Sequence, residues 1–100
     1  MIIPIHSEPE YETWIETQET ADGQTLNFFH CEVFYFNHSI LRRMIKQWRI
    51  FRTHVPQALF VMGEVDDDKW ASFIQHFGFR YLSTAPCTDG KERRIFISGG

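Results

Sequence analysis

Between Asp66 and Phe79 the chain reads DDDKWASFIQHFGF, a helix written together with its start and its stop. Asp66 to Asp68 put negative charge where a helix N-terminus is partially positive. Trp70, Phe73, Ile74 and Phe77 recur at three- and four-residue steps and form one apolar stripe. Gly78 follows, where a chain commonly leaves a helix in the left-handed conformation. Phe79 to Thr84 then reads as a strand. A helix bounded in this way by strands argues for a sheet with helices packed on it.

The rest of the chain fits that frame. Ile2 to Ile5 is a short apolar opening, and Pro4 suits an edge strand, where a missing N–H is tolerated. Residues 7–20 carry two patterns. Ser7 with Glu10 resembles a capping box, Pro9 suits a first helical turn, and Tyr11, Trp14, Ile15 and Gln18 make a helical stripe. Thr13, Thr17 and Thr20 prefer strands, and Asp22-Gly23 is a hairpin turn signal. The reading adopted is a short helix from about Glu8 that ends before the turn.

Leu26 to Phe36, LNFFHCEVFYF, is the strongest strand. Phe28, His30, Glu32, Phe34 and Phe36 alternate with Phe29, Cys31, Val33 and Tyr35, and both sets are partly apolar. That pattern predicts an interior strand covered on two sides. Asn37 or Ser39 can cap the next helix, and His54 to Pro56 closes it. Leu41, Met44, Ile45, Trp48 and Phe51 form its buried stripe, and Arg42, Arg43, Lys46, Arg49 and Arg52 occupy much of the remainder. Ala58 to Met62 reads as a buried strand, Asp89-Gly90 as a turn, and Arg94 to Ser98 as a last strand with Ile95 and Ile97 opposite Phe96. The expected fold class is α+β: one domain over residues 1–100, a mixed sheet flanked by helices, with a β-β-α-β-α-β-β core.

Composition limits the function classes. Ten Phe, three Trp and three Tyr in 100 residues supply a large buried area to a small domain. The net charge of −3 does not suit a general polyanion binder. Two cysteines, Cys31 and Cys87, fit a reduced protein better than a disulfide scaffold. No apolar run reaches membrane-spanning length, and the opening residues lack the pattern of a secretory signal. These features predict a soluble, unexported protein.

The stretch from Leu26 to Gly100 resembles the C-terminal part of the GCN5-related N-acetyltransferase (GNAT) fold, which runs strand, helix, strand, helix, strand, strand. Asp67 to Phe79 is similar to that family's pattern of Asn, apolar helix and Gly-Phe. The basic helix, the glycine stop, the DG turn and the ending Arg94-Ile95-Phe96-Ile97-Ser98-Gly99-Gly100 also resemble the small internal virion proteins of short-tailed phages, themselves GNAT-like. Two departures stand out. The family's Gln/Arg-x-x-Gly-x-Gly/Ala loop lets backbone amides approach the cofactor diphosphate. The matching position here is Phe36-Asn37-His38-Ser39-Ile40-Leu41-Arg42, which has no glycine, and Ile40 and Leu41 are expected to crowd a phosphate. The family's tyrosine acid is matched by Ile74, which cannot donate a proton, and its Asn by Asp67.

The resemblance therefore implies a non-catalytic, phage-type GNAT-like protein without a cofactor, located in the cytoplasm of a host cell or in a virion and acting through a protein partner, a second copy of itself or a virion component. Arg42, Lys46 and Arg49 are the candidate partner-binding residues. The alternative is an N-acetyltransferase that holds acetyl-CoA through the amides of Asn37, His38, Ser39 and Ile40, with His38 as base. Nucleic-acid binding ranks below both. A solvated helix face explains the basic stripe without any ligand, and helix capping explains Ser39, Asn37 and the acid triplet. His6, His30, His38, His54 and His76 lack the spacing of metal ligands, so no metal site is expected. His30 and Cys31 point to opposite faces of one strand. Cys31 reads as an inert buried thiol, and Phe28, Phe34, Phe36 and Trp48 read as core unless several prove exposed together.

Overall fold

Residues 8–20 carry competing helix and strand patterns, and the strand pattern prevails. In the computed structural model, which describes residues 1–99, β1 (Ile2–Glu8) and β2 (Tyr11–Glu19) form an antiparallel hairpin. The expected short helix from Glu8 is therefore corrected to strand. The reason is tertiary. Extended backbone puts Tyr11 and Ile15 on one face, where they are 1% and 5% exposed, and pairs Ile15 with Ile3 on one side and Phe29 on the other. A helix would satisfy the backbone equally well but would leave two strands without a neighbour.

The chain continues through β3 (Thr25–Val33), α1 (His38–His54), β4 (Leu59–Glu64), α2 (Asp68–Gln75), β5 (Arg80–Pro86) and β6 (Glu92–Ser98). One six-stranded sheet has the order β1-β2-β3-β4-β6-β5, with β3 and β4 parallel and every other neighbour pair antiparallel. The α+β class with a mixed sheet and two helices holds. The core is β-β-β-α-β-α-β-β, one strand more than expected, and from β3 onward it follows the order that the resemblance implies. Gly100 lies outside the described residues.

Local signals explain the boundaries. Gly23, Gly78 and Gly90 take φ of 86°, 83° and 82°, so the two hairpin turns and the stop of α2 use the one residue type free to adopt that geometry. The Asn37 side chain accepts from Ile40 N at 2.9 Å and caps α1, and Asp67 accepts from Trp70 N at 3.0 Å and caps α2. The strand over Leu26 to Phe36 ends at Val33, because the backbone N–H groups of Phe34 and Tyr35 both turn to the Glu10 carbonyl.

Both helices lie on one face of the sheet. Phe29, Leu59, Val61 and Phe96 point to that face and are buried against Ile40, Met44 and Trp48 of α1 and Ala71 and Ile74 of α2. Trp48 sits at the junction. Its ring lies 4.6 Å from Phe29, 5.9 Å from Phe77 and 5.4 Å from Phe79, and its Nε1–H donates to the Phe77 carbonyl at 2.7 Å. The opposite face, carrying Phe28, Phe60, Ile95 and Ile97, is covered by no element among the described residues. The expected two-sided cover of β3 is thus corrected to one-sided cover. Two apolar faces on a strand report what could be buried, not what is.

A charged network ties the hairpin to α1. Glu8 accepts from Tyr11 Oη at 3.0 Å and from Arg43 Nη1 at 2.7 Å, and His6 Nε2 lies 2.7 Å from the same carboxylate. The His6 hydrogen bond, with help from Tyr11 and Arg43, holds the Glu8 carboxyl below its ordinary value of 4.5.

Two outcomes follow. Trp48→Phe keeps most of the buried area but leaves the Phe77 carbonyl without a donor; we expect a loss of about 1–3 kcal/mol, read from the urea midpoint at unchanged slope. Because the folded state lowers the Glu8 pKa, its contribution is present above pH 4.5 and is lost as pH falls through the folded value. Glu8→Gln should therefore flatten the acid side of a stability profile; an unchanged acid slope would show that Glu8 plays no part.

Candidate functional site

The parallel junction between β3 and β4 is the weakest seam of the sheet. Their register is held at Phe28–Phe60 alone, where the two rings lie 5.9 Å apart. Beyond that pair the strands part, and the facing backbone edges carry no ladder partner. Such edges are templates for an extended chain.

The gap opens into a cavity of about 570 Å³ that passes between the strands. On the helix side its walls are Cys31, Phe36, Val61, Trp70, Phe73 and Ile74. On the open side they are Phe28, His30, Met62 and Arg93. The lining is mostly apolar with few polar groups, the usual character of a ligand cleft. Gly63 lets α2 close over it: a Cβ there would stand 2.1 Å from the Trp70 ring.

Three consecutive aromatic residues form an exposed lip where the chain leaves β3, and the last of them, Phe36, lines the cleft. Phe34, Tyr35 and Phe36 are 57%, 63% and 50% exposed, and Phe36 also packs edge-on against Phe73 at 5.8 Å. The expectation that Phe34 and Phe36 belong to the core is corrected; Phe28 and Trp48 are buried as expected. The sequence held a usable signal. Three consecutive aromatics directly before a capping Asn37 lie beyond the last ladder bond, and a chain about to turn into a helix cannot bury all three.

His30 is the one titratable side chain on the cleft wall besides Cys31 and Arg93. It stacks on Trp14 at 5.5 Å, and its Nε2 lies 3.1 Å from Glu16 Oε2 without hydrogen-bond alignment. The Cys31 thiol is pushed up to about 12 by burial, so it is not a thiolate at neutral pH. Arg93 is held cationic mainly by Asp89, which it meets at 2.7 Å.

The residues singled out around α1 are placed as follows. Asn37 spends its side chain on the Ile40 amide, so one donor at the helix N-terminus is already satisfied. His38 and Ser39 are exposed in the first turn. Ile40 is 4% exposed and points into the core, so its bulk does not fill the turn as expected; the Asn37 cap is what occupies that turn. Among the described residues, no titratable side chain forms a hydrogen bond or ion pair with His38. Of the basic stripe, Arg43 is tied to Glu8 and Glu10, and Arg52 donates to the carbonyls of Val55, Gln57 and Ser98. Arg42, Lys46 and Arg49 are exposed and make no ion pair among the described residues. They lie on α1, away from the cleft lining.

No family model matches the chain, and no curated protein matches it in sequence. Among solved structures, the crystal structure of a "putative acetyltransferase" from Sphaerobacter thermophilus DSM 20745 is similar, at 8% identity over 98% of this chain and 80% of that one, with a TM-score of 0.42. A likeness of that size carries no argument about activity. No helix is long and apolar enough to cross a membrane, and no group of metal-ligating side chains converges among the described residues.

The state of Cys31 is directly testable. Native protein treated with iodoacetamide at pH 8 should remain unmodified at Cys31 while urea-unfolded protein reacts fully, as read by peptide mass mapping. Native labelling at the rate of a free thiol would place Cys31 in solvent.

Proposed function

We propose that this is a GNAT-like, non-catalytic binding domain of phage type, which takes an extended segment of a protein partner into the cleft between β3 and β4. The partner belongs to virion assembly or to a host factor. The observation that carries this reading is the exposed aromatic lip, Phe34-Tyr35-Phe36, whose last member lines an apolar cleft. Large aromatics supply most of the energy at protein interfaces, and three adjacent ones in solvent are rare without a partner. The unpaired edges of β3 and β4 would give such a segment main-chain hydrogen bonds, and the Phe36, Trp70 and Phe73 walls would take its side chains. Arg42, Lys46 and Arg49 would then add long-range attraction for an acidic partner rather than contact at the cleft.

The alternative is acetyl transfer from acetyl-CoA. Its support is the cleft itself and the His30–Glu16 pair on its wall. Against it stand the glycine-free turn, the Asn37 cap on the first helical amides and Ile74 at the position of the tyrosine acid. Thermal unfolding with acetyl-CoA separates the two. A ligand at a hundred times its dissociation constant stabilises the fold by about 2.7 kcal/mol. We expect no shift at millimolar acetyl-CoA, and capture of a defined host or virion protein by the wild type that is lost in the Phe34→Ser/Tyr35→Ser/Phe36→Ser variant. A saturable acetyl-CoA shift, or capture indifferent to the triple change, would overturn the proposal.

A further inference from the structure

The uncovered sheet face is a second surface, which excludes the aromatic lip but shares Phe28, His30, Met62 and Arg93 with the open side of the cleft. The ladders place its side chains in rows. One row runs Glu16, Phe28, Phe60, Ile97 and Arg80 across β2, β3, β4, β6 and β5. The next runs Trp14, His30, Met62 and Ile95, and the rim row runs Glu12, Glu32, Glu64 and Arg93. The middle is apolar and partly open to water: Trp14, Phe60, Ile95 and Ile97 are half-buried and Met62 is 38% exposed. Such a patch on a small domain calls for a cover.

The charges on this face have an order. Glu12, Glu16 and Glu32 stand on β2 and β3, whereas Arg93 and Arg80 stand on β6 and β5. Arg93 is held by Asp89 of its own chain at 2.7 Å and lies 3.8 Å from Glu64 on β4. The carboxylates of Glu12 and Glu32, unpaired among the described residues, thus stand on one half of the face and the guanidinium groups on the other, with the apolar rows spanning both.

We propose that this face binds the same face of a second copy of the chain, about a two-fold axis parallel to the strands. In the order β1-β2-β3-β4-β6-β5 that axis exchanges β3 with β4, β2 with β6 and β1 with β5. It keeps the rows level. Glu12 of each copy then faces Arg93 of the other, Trp14 faces Ile95, and Phe28 faces Phe60, while Glu16, beside His30 of its own copy, meets Ile97 and Arg80 meets Ile2. The like-charged meeting of Glu32 with Glu64 falls on the rim, where water screens it and Arg93 already offsets Glu64. The contact is isologous and closes at two copies. Sheets stack face to face at about 10 Å, with inner side chains interdigitating. The molecule measures 39 × 30 × 21 Å, so its broad face can supply the roughly 800 Å² per partner of a standard interface. A cationic helix from another protein would match only the acidic half and would leave Arg80 and Arg93 against like charge.

Sedimentation equilibrium over a micromolar to near-millimolar series tests this. The wild type should approach twice 11.9 kDa. Glu12→Arg and Arg93→Glu should each weaken association by about tenfold or more, and an equimolar mixture of the two should recover it, because the reversed charges meet once across each heterodimer. Met62→Glu, at a central site that is 38% exposed, should give a monomer with an unchanged far-ultraviolet circular dichroism spectrum. A monomeric wild type at every concentration would overturn the proposal. So would a dimer that survives Met62→Glu, or reversed-charge variants that fail to rescue each other. The lip variant at Phe34 to Phe36 should leave the dimer intact, so loss of partner capture and loss of the dimer are read separately.

Discussion

Trp48 joins three parts of the fold around a shared aromatic cluster. Its ring touches Phe29 of β3, Phe77 at the end of α2 and Phe79 at the start of β5, and its indole N–H caps a carbonyl that the helix stop would leave unpaired. A buried carbonyl without a donor is expensive, so the tryptophan fixes how far α2 can run before Gly78 turns it. The position of α2 then sets the roof of the cleft, since Trp70, Phe73 and Ile74 lie on the same helix.

That arrangement leaves β3 and β4 free to part. Most parallel neighbours are held by a long ladder between two helix layers. Here a single registered pair suffices, because α1 and α2 clamp the strands from one side through the aromatic core. The consequence is a gap with unpaired backbone on both edges, opening beside three solvent-exposed aromatics. Stability and binding capacity thus come from the same layer: the helices that hold the sheet shut at Phe28–Phe60 also roof the space where it opens.

The second consequence is a sheet with a single helix layer. Phe28, Phe60, Ile95 and Ile97 meet each other on the open face, and 7% exposure of Phe28 is reached by neighbouring side chains alone. An apolar middle between a glutamate half and an arginine half repels non-specific partners more than it repels a copy of itself.

Much of this was legible in the residues. The capped start and glycine stop of α2, the Asn37 cap, both DG turns and the opposition of Phe96 to Ile95 and Ile97 are local, and local sequence dictates them. Three things were not. Residues 8–20 satisfy helix and strand periodicity with the same Tyr11 and Ile15, and only the pairing of Ile15 with Ile3 and Phe29 chooses between them. Phe34 to Phe36 read as a continuing strand until the carbonyl of Glu10, distant in sequence, takes the amides of Phe34 and Tyr35. Ile40 read as an obstacle in the turn until the core received it. The chain by itself therefore determined where α1 and α2 begin and end, because capping and turn geometry involve neighbours a few residues apart. Tertiary structure alone decided which apolar face is covered, which aromatics stay in water and where the sheet parts, because those depend on what other segments bring to the same place.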